Sequence, residues 1–372
     1  MTTTRTKIPR KKEEDFLYLK LVKDIKHGIL TGTHPPGTQL PSYNELAKSY
    51  GIHRLTVRHA LRLLKEEGLV YTIPAKGVYV AAPGSIPPRD PFAKNDANWS
   101  IGIVNDIVEP WLFGYFHFEI LERMRNLLQR DLHSLQILPT SRQNRLEKWI
   151  AAIKHFDLTG LVLLGPLQPS IIREISRLKP VIHLDPQGPS DCTTVNIDNE
   201  RGGAIAARHL LELGHTDIAI ITSVDQQCSD QRLAGFRRAV EESGVPGVKI
   251  RTFAGNFSSV SGSAAAQQIL AARELPTAVF CLNDEMALGA LQTFTAASIF
   301  VPRDLSLIGF DDITVSKVVT PPLTTIRVST ADLAHTTVHA MERKLSGLQT
   351  NELAHTVVPT LVVRGSTAPP RA

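Results

Sequence analysis

The sequence predicts an α/β protein in two parts: a small, mostly helical N-terminal module and a larger domain of parallel sheets covered by helices. Three observations predict this. Residues 40–69 contain two short amphipathic stretches on either side of Gly51. Residues 82–98 are rich in proline and break every apolar period. From Trp99 onward, short apolar runs alternate with longer amphipathic stretches, which is typical of repeated strand and helix units.

The N-terminal part is predicted to contain three helices. Residues 1–13 form a basic tail without an apolar pattern and are expected to be disordered. Apolar residues recur every fourth position across residues 14–30, which predicts a first helix. Ser42 and Glu45 match the capping-box pattern, so a second helix should begin there and end near Gly51. A third helix follows this turn.

The third helix is predicted to expose two arginines. Arg54 and Arg58 lie one turn apart, and guanidinium groups on one helical face suit guanine edges and phosphates. A solvated face of an ordinary amphipathic helix would show the same pattern. The distribution of charge favours nucleic-acid binding. Residues 1–82 contain 14 Lys and Arg against 7 Asp and Glu, a net charge of +7, whereas the rest of the chain contains 27 against 29, a net charge of −2. The apolar positions on the buried face are Val57, Leu61 and Leu64.

Eighteen residues of this part follow one another in a characteristic order. They are Gly37, Leu40, Pro41, Ser42, Glu45, Leu46, Ala47, Gly51, Arg54, Thr56, Val57, Arg58, Ala60, Leu61, Leu64, Gly68, Leu69 and Gly77. This order resembles the winged helix-turn-helix of the GntR family of transcription regulators. The resemblance implies that residues 14–81 bind DNA, with residues 70–80 as the hairpin wing. The positions that it assigns to DNA are Ser42, Asn44, His53, Arg54, Thr56, Arg58, Lys76 and Gly77.

Three positions depart from the GntR pattern. His53 stands where the family usually has a serine that caps the recognition helix, and Asn44 stands where it often has an arginine that contacts DNA. Ala75 replaces the usual glycine at the wing tip. These departures do not change the predicted fold, but the DNA-sequence preference of the family cannot be transferred to this chain. For His53, helix capping and phosphate contact both remain open.

Residues 82–98 are predicted to form a semi-rigid linker because of their proline content. The N-terminus has no apolar run after its charges, and no later stretch is long and apolar enough to span a bilayer. The three cysteines are isolated in sequence, which argues against a metal cluster or a disulfide framework. We therefore expect a cytoplasmic protein in a reducing compartment.

The larger domain is predicted from seven apolar runs that alternate with amphipathic helices. This alternation implies parallel sheets with helices on both faces, and ligands of such sheets bind at the carboxyl ends of the strands. The runs are residues 101–104, 135–138, 161–164, 181–184, 218–221, 278–282 and 306–310.

Ordered motifs cover the second half of this domain. They are Val195-x-Ile197-Asp198-Asn199, Gly202-Gly203, His209-Leu210, Leu213-Gly214-His215, Arg232-x-x-Gly235-Phe236, Asn283-Asp284-x-Met286-Ala287-x-Gly289-Ala290, Val301-Pro302, Ile308-Gly309-Phe310-Asp311-Asp312, Pro321-Pro322-Leu323-Thr324-Thr325 and Leu361-Val362-Val363-Arg364. With them, residues 99–367 resemble the effector domain of the LacI family, which is similar to periplasmic sugar-binding proteins. The resemblance implies a two-lobed, periplasmic-binding-protein-like domain with a ligand in the cleft. A GntR-type headpiece on such a domain is an arrangement of sugar-responsive regulators, including arabinose-responsive ones.

A sugar site needs forked donors, carboxylate and amide acceptors, and an aromatic face. Arg232, Asn283 and Asp311 occupy the motif positions at which the family binds ligand hydroxyls, although a surface salt bridge and a turn residue are the alternatives for Arg232 and Asp311. Phe257 matches an aromatic that lies against the ligand, with core packing as the alternative. The resemblance also places Asp185, Gln226 and Cys228 at the cleft. It places Trp111 there too, either stacked on the sugar or packed in the core.

An enzyme is not expected. The sequence lacks the GxxxxGK, HExxH and GxSxG motifs. Ser176-x-x-Lys179 matches a nucleophile pattern, but it lacks the companion motifs. Asp311 and Asp312 are neighbours at a predicted strand end, so their side chains should point in different directions. No cofactor, metal or membrane partner is expected.

The sequence therefore predicts a DNA-binding transcription regulator, a repressor that is controlled by a sugar or sugar derivative. A homodimer is expected, because two recognition helices related by symmetry read a palindromic operator and one helix reads too few base pairs. The alternative is a transport-type solute-binding protein. Such a protein would need an export signal and would have no use for Arg54 and Arg58.

Replacing Arg58 with alanine is expected to weaken binding to a specific duplex by about 1–3 kcal/mol, because it removes a donor from the predicted groove-facing side. Operator titration of residues 1–82 measures this, with Arg54→Ala as the parallel variant. Lys76→Ala should instead weaken binding to all sequences alike and lower the salt slope by about one. Unaltered specific binding in both arginine variants would contradict the recognition-helix assignment.

Overall fold

The computed structural model describes residues 20–29, 31–52, 54–66, 69–73, 77–81, 99–105, 114–130, 133–138, 145–224, 226–347 and 354–371. Its contacts divide the chain into two compact units, residues 1–97 and residues 98–372. The predicted tail, residues 1–13, and the predicted linker, residues 82–98, lie outside the described residues. Both remain predictions.

The N-terminal unit is a winged helix-turn-helix, as predicted. Its elements are helix α1 at residues 20–29, α2 at Tyr43–Tyr50, α3 at Arg54–Glu66, and strands β1 at Val70–Ile73 and β2 at Gly77–Val80. The two strands pair antiparallel, with Val70 opposite Val80. Leu21 of α1, Leu46 of α2 and Leu64 of α3 are buried in one apolar core beneath the hairpin. This core holds the three helices and the wing as one body.

The wing packs against the segment that leads into α2. The Leu40 N–H donates to the Val78 carbonyl at 2.7 Å, so this segment pairs with β2. Gly77 has a φ of +126°, in the left-handed region that favours glycine. A Cβ at Gly77 would lie 2.7 Å from Nε2 of Gln39. Gln39 could move aside, so it is the positive φ that favours glycine where the second strand of the wing begins.

The C-terminal unit is built from alternating strands and helices. The strands are β3 Ser100–Asn105, β4 Ser134–Ile137, β5 Gly160–Leu164, β6 Val181–Leu184, β7 Thr193–Ile197, β8 Asp217–Ser223, β9 Lys249–Gly255, β10 Ala278–Cys281, β11 Ser306–Asp311, β12 Thr324–Arg327, β13 Ala354–Val357 and β14 Thr360–Val362. The helices are α4 Tyr115–Arg130, α5 Arg145–His155, α6 Pro169–Ser176, α7 Asn199–Glu212, α8 Gln227–Ser243, α9 Ser259–Leu270, α10 Asp284–Ala296 and α11 Thr330–Leu345, with a 3₁₀ turn at Thr314–Lys317.

These strands form two six-stranded sheets, one in each lobe. The sheet of the first lobe has the order β13-β7-β6-β5-β3-β4, and all of its strand pairs are parallel. The sheet of the second lobe has the order β14-β12-β11-β10-β8-β9, and only the pair of β12 and β14 is antiparallel. The predicted two-lobed α/β architecture is confirmed.

The chain crosses between the lobes three times. It passes from β7 of the first lobe into α7 of the second, returns from β12 into α11, and passes again from β13 to β14. Because each lobe contains segments from both halves of the domain, neither lobe is one continuous stretch of sequence. Residues that are far apart in the chain therefore meet where the lobes face each other.

Helices α7 and α8 cross at very close range in the second lobe. A Cβ on Gly203 of α7 would lie 1.9 Å from the carbonyl oxygen of Arg232, and a Cβ on Gly235 of α8 would lie 1.9 Å from that of Glu200. Backbone cannot yield at such a distance, so both helices require glycine at the crossing. This close approach sets the position of Arg232 relative to α7.

Gly203→Ala is therefore expected to destabilise the C-terminal unit by about 1–3 kcal/mol, because the added methyl group must push the two helices apart. The measurement is urea unfolding followed by a signal from this unit. Gly188→Ala is the matched control, since the nearest atom to its Cβ would lie 3.9 Å away. Equal unfolding midpoints for the two variants would contradict the close crossing.

Candidate functional site

The capping box that begins α2 is formed as predicted. The Glu45 N–H donates to the Ser42 hydroxyl at 3.3 Å, and the Ser42 N–H donates to the Glu45 carboxylate at 2.7 Å. These bonds satisfy two amides at the helix start. Gly51 ends the helix with a φ of +64°, so the turn before α3 is sharp. The local sequence therefore sets the angle at which α3 leaves α2.

Helix α3 separates apolar and charged faces. Val57 and Leu64 are fully buried, whereas Arg54 and Arg58 are exposed on the opposite side. Asn44 on α2 is also exposed, and Thr56 is half-buried. His53 and Lys76 lie outside the described residues, so their DNA roles, like those of Ser42 and Gly77, stay predictions.

The second lobe holds a buried guanidinium at the carboxyl ends of its strands. Nε of Arg232 donates to the Asn199 side-chain oxygen at 2.9 Å, and Nη1 donates to the Leu282 carbonyl. The guanidinium carbon lies 3.7 Å from the centroid of the Phe310 ring and 5.9 Å from that of Phe257. Arg232 is thus fixed by three surrounding elements and is not a surface salt bridge.

Asp311 lies beside this guanidinium at the end of β11. Its Oδ1 atom is 3.8 Å from Nη1 of Arg232 and has no hydrogen-bond partner among the described residues. Burial raises the pKa of Asp311 well above its usual value, while Arg232 acts in the opposite direction. A buried carboxylate oxygen without a donor costs free energy. The arrangement therefore leaves an acceptor that a bound hydroxyl can satisfy.

Two other predicted residues lie near this pair. Asp185 directly follows β6 of the first lobe, is buried, and affects the pKa of Cys228 together with Arg232 and Asp311. Burial raises the pKa of the Cys228 thiol to about 12, with Arg232 acting in the opposite direction. The thiol therefore stays protonated at physiological pH, and the thiolate, which is the nucleophilic form, is disfavoured. The two lobes therefore bring carboxylates from β6 and β11 towards one guanidinium.

The remaining predicted residues differ in whether their polar atoms already form hydrogen bonds within the protein. Asn283 caps α10 by accepting from the Met286 N–H at 2.9 Å, and it donates to the Phe257 carbonyl at 2.9 Å. Gln226 precedes α8 and makes no capping hydrogen bond with its side chain. Trp111 lies outside the described residues. The ligand roles of these residues stay predictions.

Two residues near the site were missed by the sequence reasoning. His117, in the first turn of α4, has a pKa that burial lowers, with Asp185 raising it and Arg232 lowering it. Gln187 donates to Asp185 at 3.3 Å, and its side-chain oxygen is buried without a hydrogen-bond partner among the described residues. Both follow strands of the first lobe, where motifs were weakest. A histidine in the first turn of the helix that follows β3 was the available signal for His117.

Two glutamates join the lobes beside this site. The Tyr115 N–H of α4 donates to Glu285 of α10 at 3.0 Å. The Thr314 N–H and hydroxyl both donate to Glu119 of α4, at 2.9 and 2.6 Å. Because α4 belongs to the first lobe, whereas α10 and Thr314 belong to the second, these bonds form only when the lobes are close. They constitute a latch, which is defined here by Glu119, Thr314, Tyr115 and Glu285.

The other carboxylates of the motifs have structural roles. Asp312 binds the guanidiniums of Arg327, at 2.6 Å, and Arg364, so it does not act with Asp311 as a catalytic pair. Asp284 is fully buried and accepts hydrogen bonds from Thr325, Ser316 and Ile313. Burial raises the pKa of Asp284 to about 7, which these three donors oppose.

No helix in the described ranges is long and apolar enough to cross a membrane.

Known proteins match both units. Residues 17–80 match the family of bacterial regulatory proteins of the gntR type, and residues 207–367 match the periplasmic binding protein-like domain. The arabinose metabolism transcriptional repressor of Geobacillus stearothermophilus is 27% identical over 364 residues, 94% of this chain and 97% of that protein. The HTH-type transcriptional repressor CytR of Escherichia coli is 31% identical over 279 residues, 74% of this chain and 80% of that protein.

The chain belongs to the family of HTH-type bacterial transcription regulators with a periplasmic-binding-protein-like domain. It is an effector-controlled, DNA-binding regulator and not an enzyme. A LacI family regulator from Enterococcus faecium, solved with bound ribose, has the same fold, with a TM-score of 0.66 and 24% identity over 73% of this chain and 100% of that one. The predicted combination of a GntR-type headpiece and a LacI-type domain is confirmed.

Removing the latch carboxylate is expected to expose the Thr314 amide. In Glu119→Ala, hydrogen exchange at Thr314 should accelerate about tenfold, which corresponds to a loss of about 1.4 kcal/mol from a hydrogen bond to a charged acceptor. Glu122→Ala is the matched control, because Glu122 pairs with Arg125 on the same helix and not across the lobes. Equal exchange rates in both variants would show that Glu119 does not hold the lobes together.

Proposed function

We propose that this regulator is a homodimeric repressor of the cytoplasm that binds a palindromic operator and is released by an uncharged sugar held between its lobes. The observation that carries the proposal is the unsatisfied, buried Oδ1 of Asp311 beside the fixed guanidinium of Arg232. A carboxylate and a guanidinium side by side offer acceptor and donor to adjacent hydroxyls of one sugar ring. The half-buried ring of Phe257, near the same guanidinium, suits the apolar side of a sugar.

The charges near the site favour a neutral ligand over a sugar phosphate. Asp185 contributes a carboxylate, Arg232 contributes one positive charge, and burial favours the neutral forms of both Asp311 and His117. A phosphate would therefore have a single guanidinium as its counter-ion and would meet the Asp185 carboxylate in a region of low dielectric, where repulsion is strong. The names of two similar proteins support a pentose, since one was solved with ribose and the other is an arabinose metabolism repressor.

Control of DNA binding follows from the two lobes. A ligand that contacts Asp311 in one lobe and Asp185 in the other stabilises the close arrangement, which the latch also stabilises. By linkage, the effect on operator affinity cannot exceed the difference in ligand affinity between the two lobe arrangements. In a dimer, that change would alter the fit of two recognition helices to major grooves about 34–36 Å apart. A solute-binding protein without a regulatory role would show no operator binding.

Asp311→Ala is expected to raise the sugar concentration at half-maximal response at least tenfold, about 1.4 kcal/mol, because the site loses its acceptor. A thermal-shift screen of pentoses, hexoses, their phosphates and nucleosides first identifies the sugar, since a ligand of the native state raises the melting temperature. An operator titration with that sugar then compares Asp311→Ala with Glu241→Ala, an exposed acidic residue of α8. Equal responses would remove Asp311 from the site, and stabilisation only by sugar phosphates would overturn the neutral ligand.

A further inference from the structure

A second concave surface lies where the chain first crosses between the lobes. It has a volume of about 690 Å³, within the range of small-molecule sites. We call it the crossover groove and define it by Asn196, Arg201, Arg208, Gln231, Arg238 and Thr356. It contains none of the residues assigned to the effector site.

Two guanidiniums in the crossover groove have no counter-ion among the described residues. Arg238 donates to the Glu200 carboxylate at 2.8 Å, and the Asp198 carboxylate accepts from the Arg201 backbone as the cap of α7. These contacts use the two acidic side chains of the groove. The side chains of Arg201 and Arg208 form no ion pair with a carboxylate in the described part of the chain. The groove therefore carries an excess of positive charge.

The spacing of these arginines suits an extended anion. They are seven residues apart on α7, so they lie on one face and about two turns, roughly 10 Å, from each other. Both residues line the groove, and guanidinium groups bind phosphate and carboxylate through paired N–H donors. Mutual repulsion of the guanidiniums decreases when an anion bridges them.

The crossover groove is connected to the effector site by two hydrogen bonds. Nδ2 of Asn199 donates to Gln231 in the groove wall at 3.1 Å, and Oδ1 of Asn199 accepts from Nε of Arg232 at 2.9 Å. The groove also joins strand residues Asn196 and Thr356 of the first lobe to helices of the second. Its shape must therefore change when the lobes move relative to each other.

From these features we infer that the crossover groove is a second regulatory site, which binds a small phosphorylated or polycarboxylate metabolite and is coupled to the sugar site through Asn199. Such a ligand differs in charge from the proposed effector, so the two sites respond to different metabolites. A ligand that bridges both walls of the groove binds one lobe arrangement more tightly than the other, which is the requirement for coupling.

The test is isothermal titration calorimetry of the full chain with pyrophosphate and, separately, with citrate at physiological salt. We expect saturable binding of at least one probe, with one site per chain. The double variant Arg201→Gln, Arg208→Gln should weaken that binding at least tenfold. Arg237→Gln, an exposed arginine of α8 outside the groove, is the matched control and should leave it unchanged.

Each outcome decides the proposal. Binding of pyrophosphate alone indicates a phosphorylated ligand, and binding of citrate alone indicates a polycarboxylate. No saturable binding of either probe at millimolar concentration would overturn the site, as would equal weakening in the Arg237→Gln control. Saturation with the bound probe should also change hydrogen exchange at Thr314 at least twofold. Unchanged exchange would refute the coupling to the lobes.

Discussion

The arrangement of the C-terminal unit depends on the burial of one guanidinium. A buried charge is costly unless surrounding groups satisfy its donors. For Arg232 the acceptors are Asn199 of α7 and the carbonyl of Leu282 after β10, while Asp311 at the end of β11 supplies an opposite charge at 3.8 Å. Their convergence requires adjacent parallel strands and the glycine crossing of α7 on α8. The fold therefore shields this guanidinium from solvent and fixes its orientation.

Several residues around the guanidinium adopt strained backbone conformations. Asp185, Phe257 and Asp311 have φ values of +48°, +67° and +109°, although none of them is glycine. Such conformations cost about 1–3 kcal/mol each and persist where surrounding structure imposes them. They occur at or just after the carboxyl ends of β6, β9 and β11, where the predicted ligand-binding residues lie. These positive φ values give the side chains a different direction from the one that an extended strand would give them.

The latch and the effector site act on the same motion by different contacts. The latch joins exposed backbone and carboxylate groups, so water competes with it, and it holds the lobes weakly. The proposed effector site has a buried acceptor on Asp311 without a hydrogen-bond partner among the described residues, so a ligand that donates to it would favour one lobe arrangement strongly. A lobe equilibrium that is nearly balanced by weak contacts is one that a single small ligand can shift.

The N-terminal unit was predicted almost completely from sequence because its interactions are local. Ser42 and Glu45 are three residues apart, and the apolar and charged faces of α3 are a property of helical spacing alone. The seven apolar runs likewise correspond to strands of the two sheets. Strands β7, β9, β12, β13 and β14 were missed as strands, because they mix polar and apolar residues and pair mainly towards sheet edges.

The sequence by itself determined the class of the protein, the two-part organisation and the strand ends that carry polar residues. Tertiary structure alone decided which of those residues meet. Glu119 and Thr314 are 195 positions apart, and Arg232 and Asn199 are 33 apart, so no local pattern records either contact. The positions of His117 and Gln187 beside the site were likewise not predicted from the sequence. The physical reason is that the chain crosses the lobes three times, and only the folded crossings place distant side chains within hydrogen-bond reach.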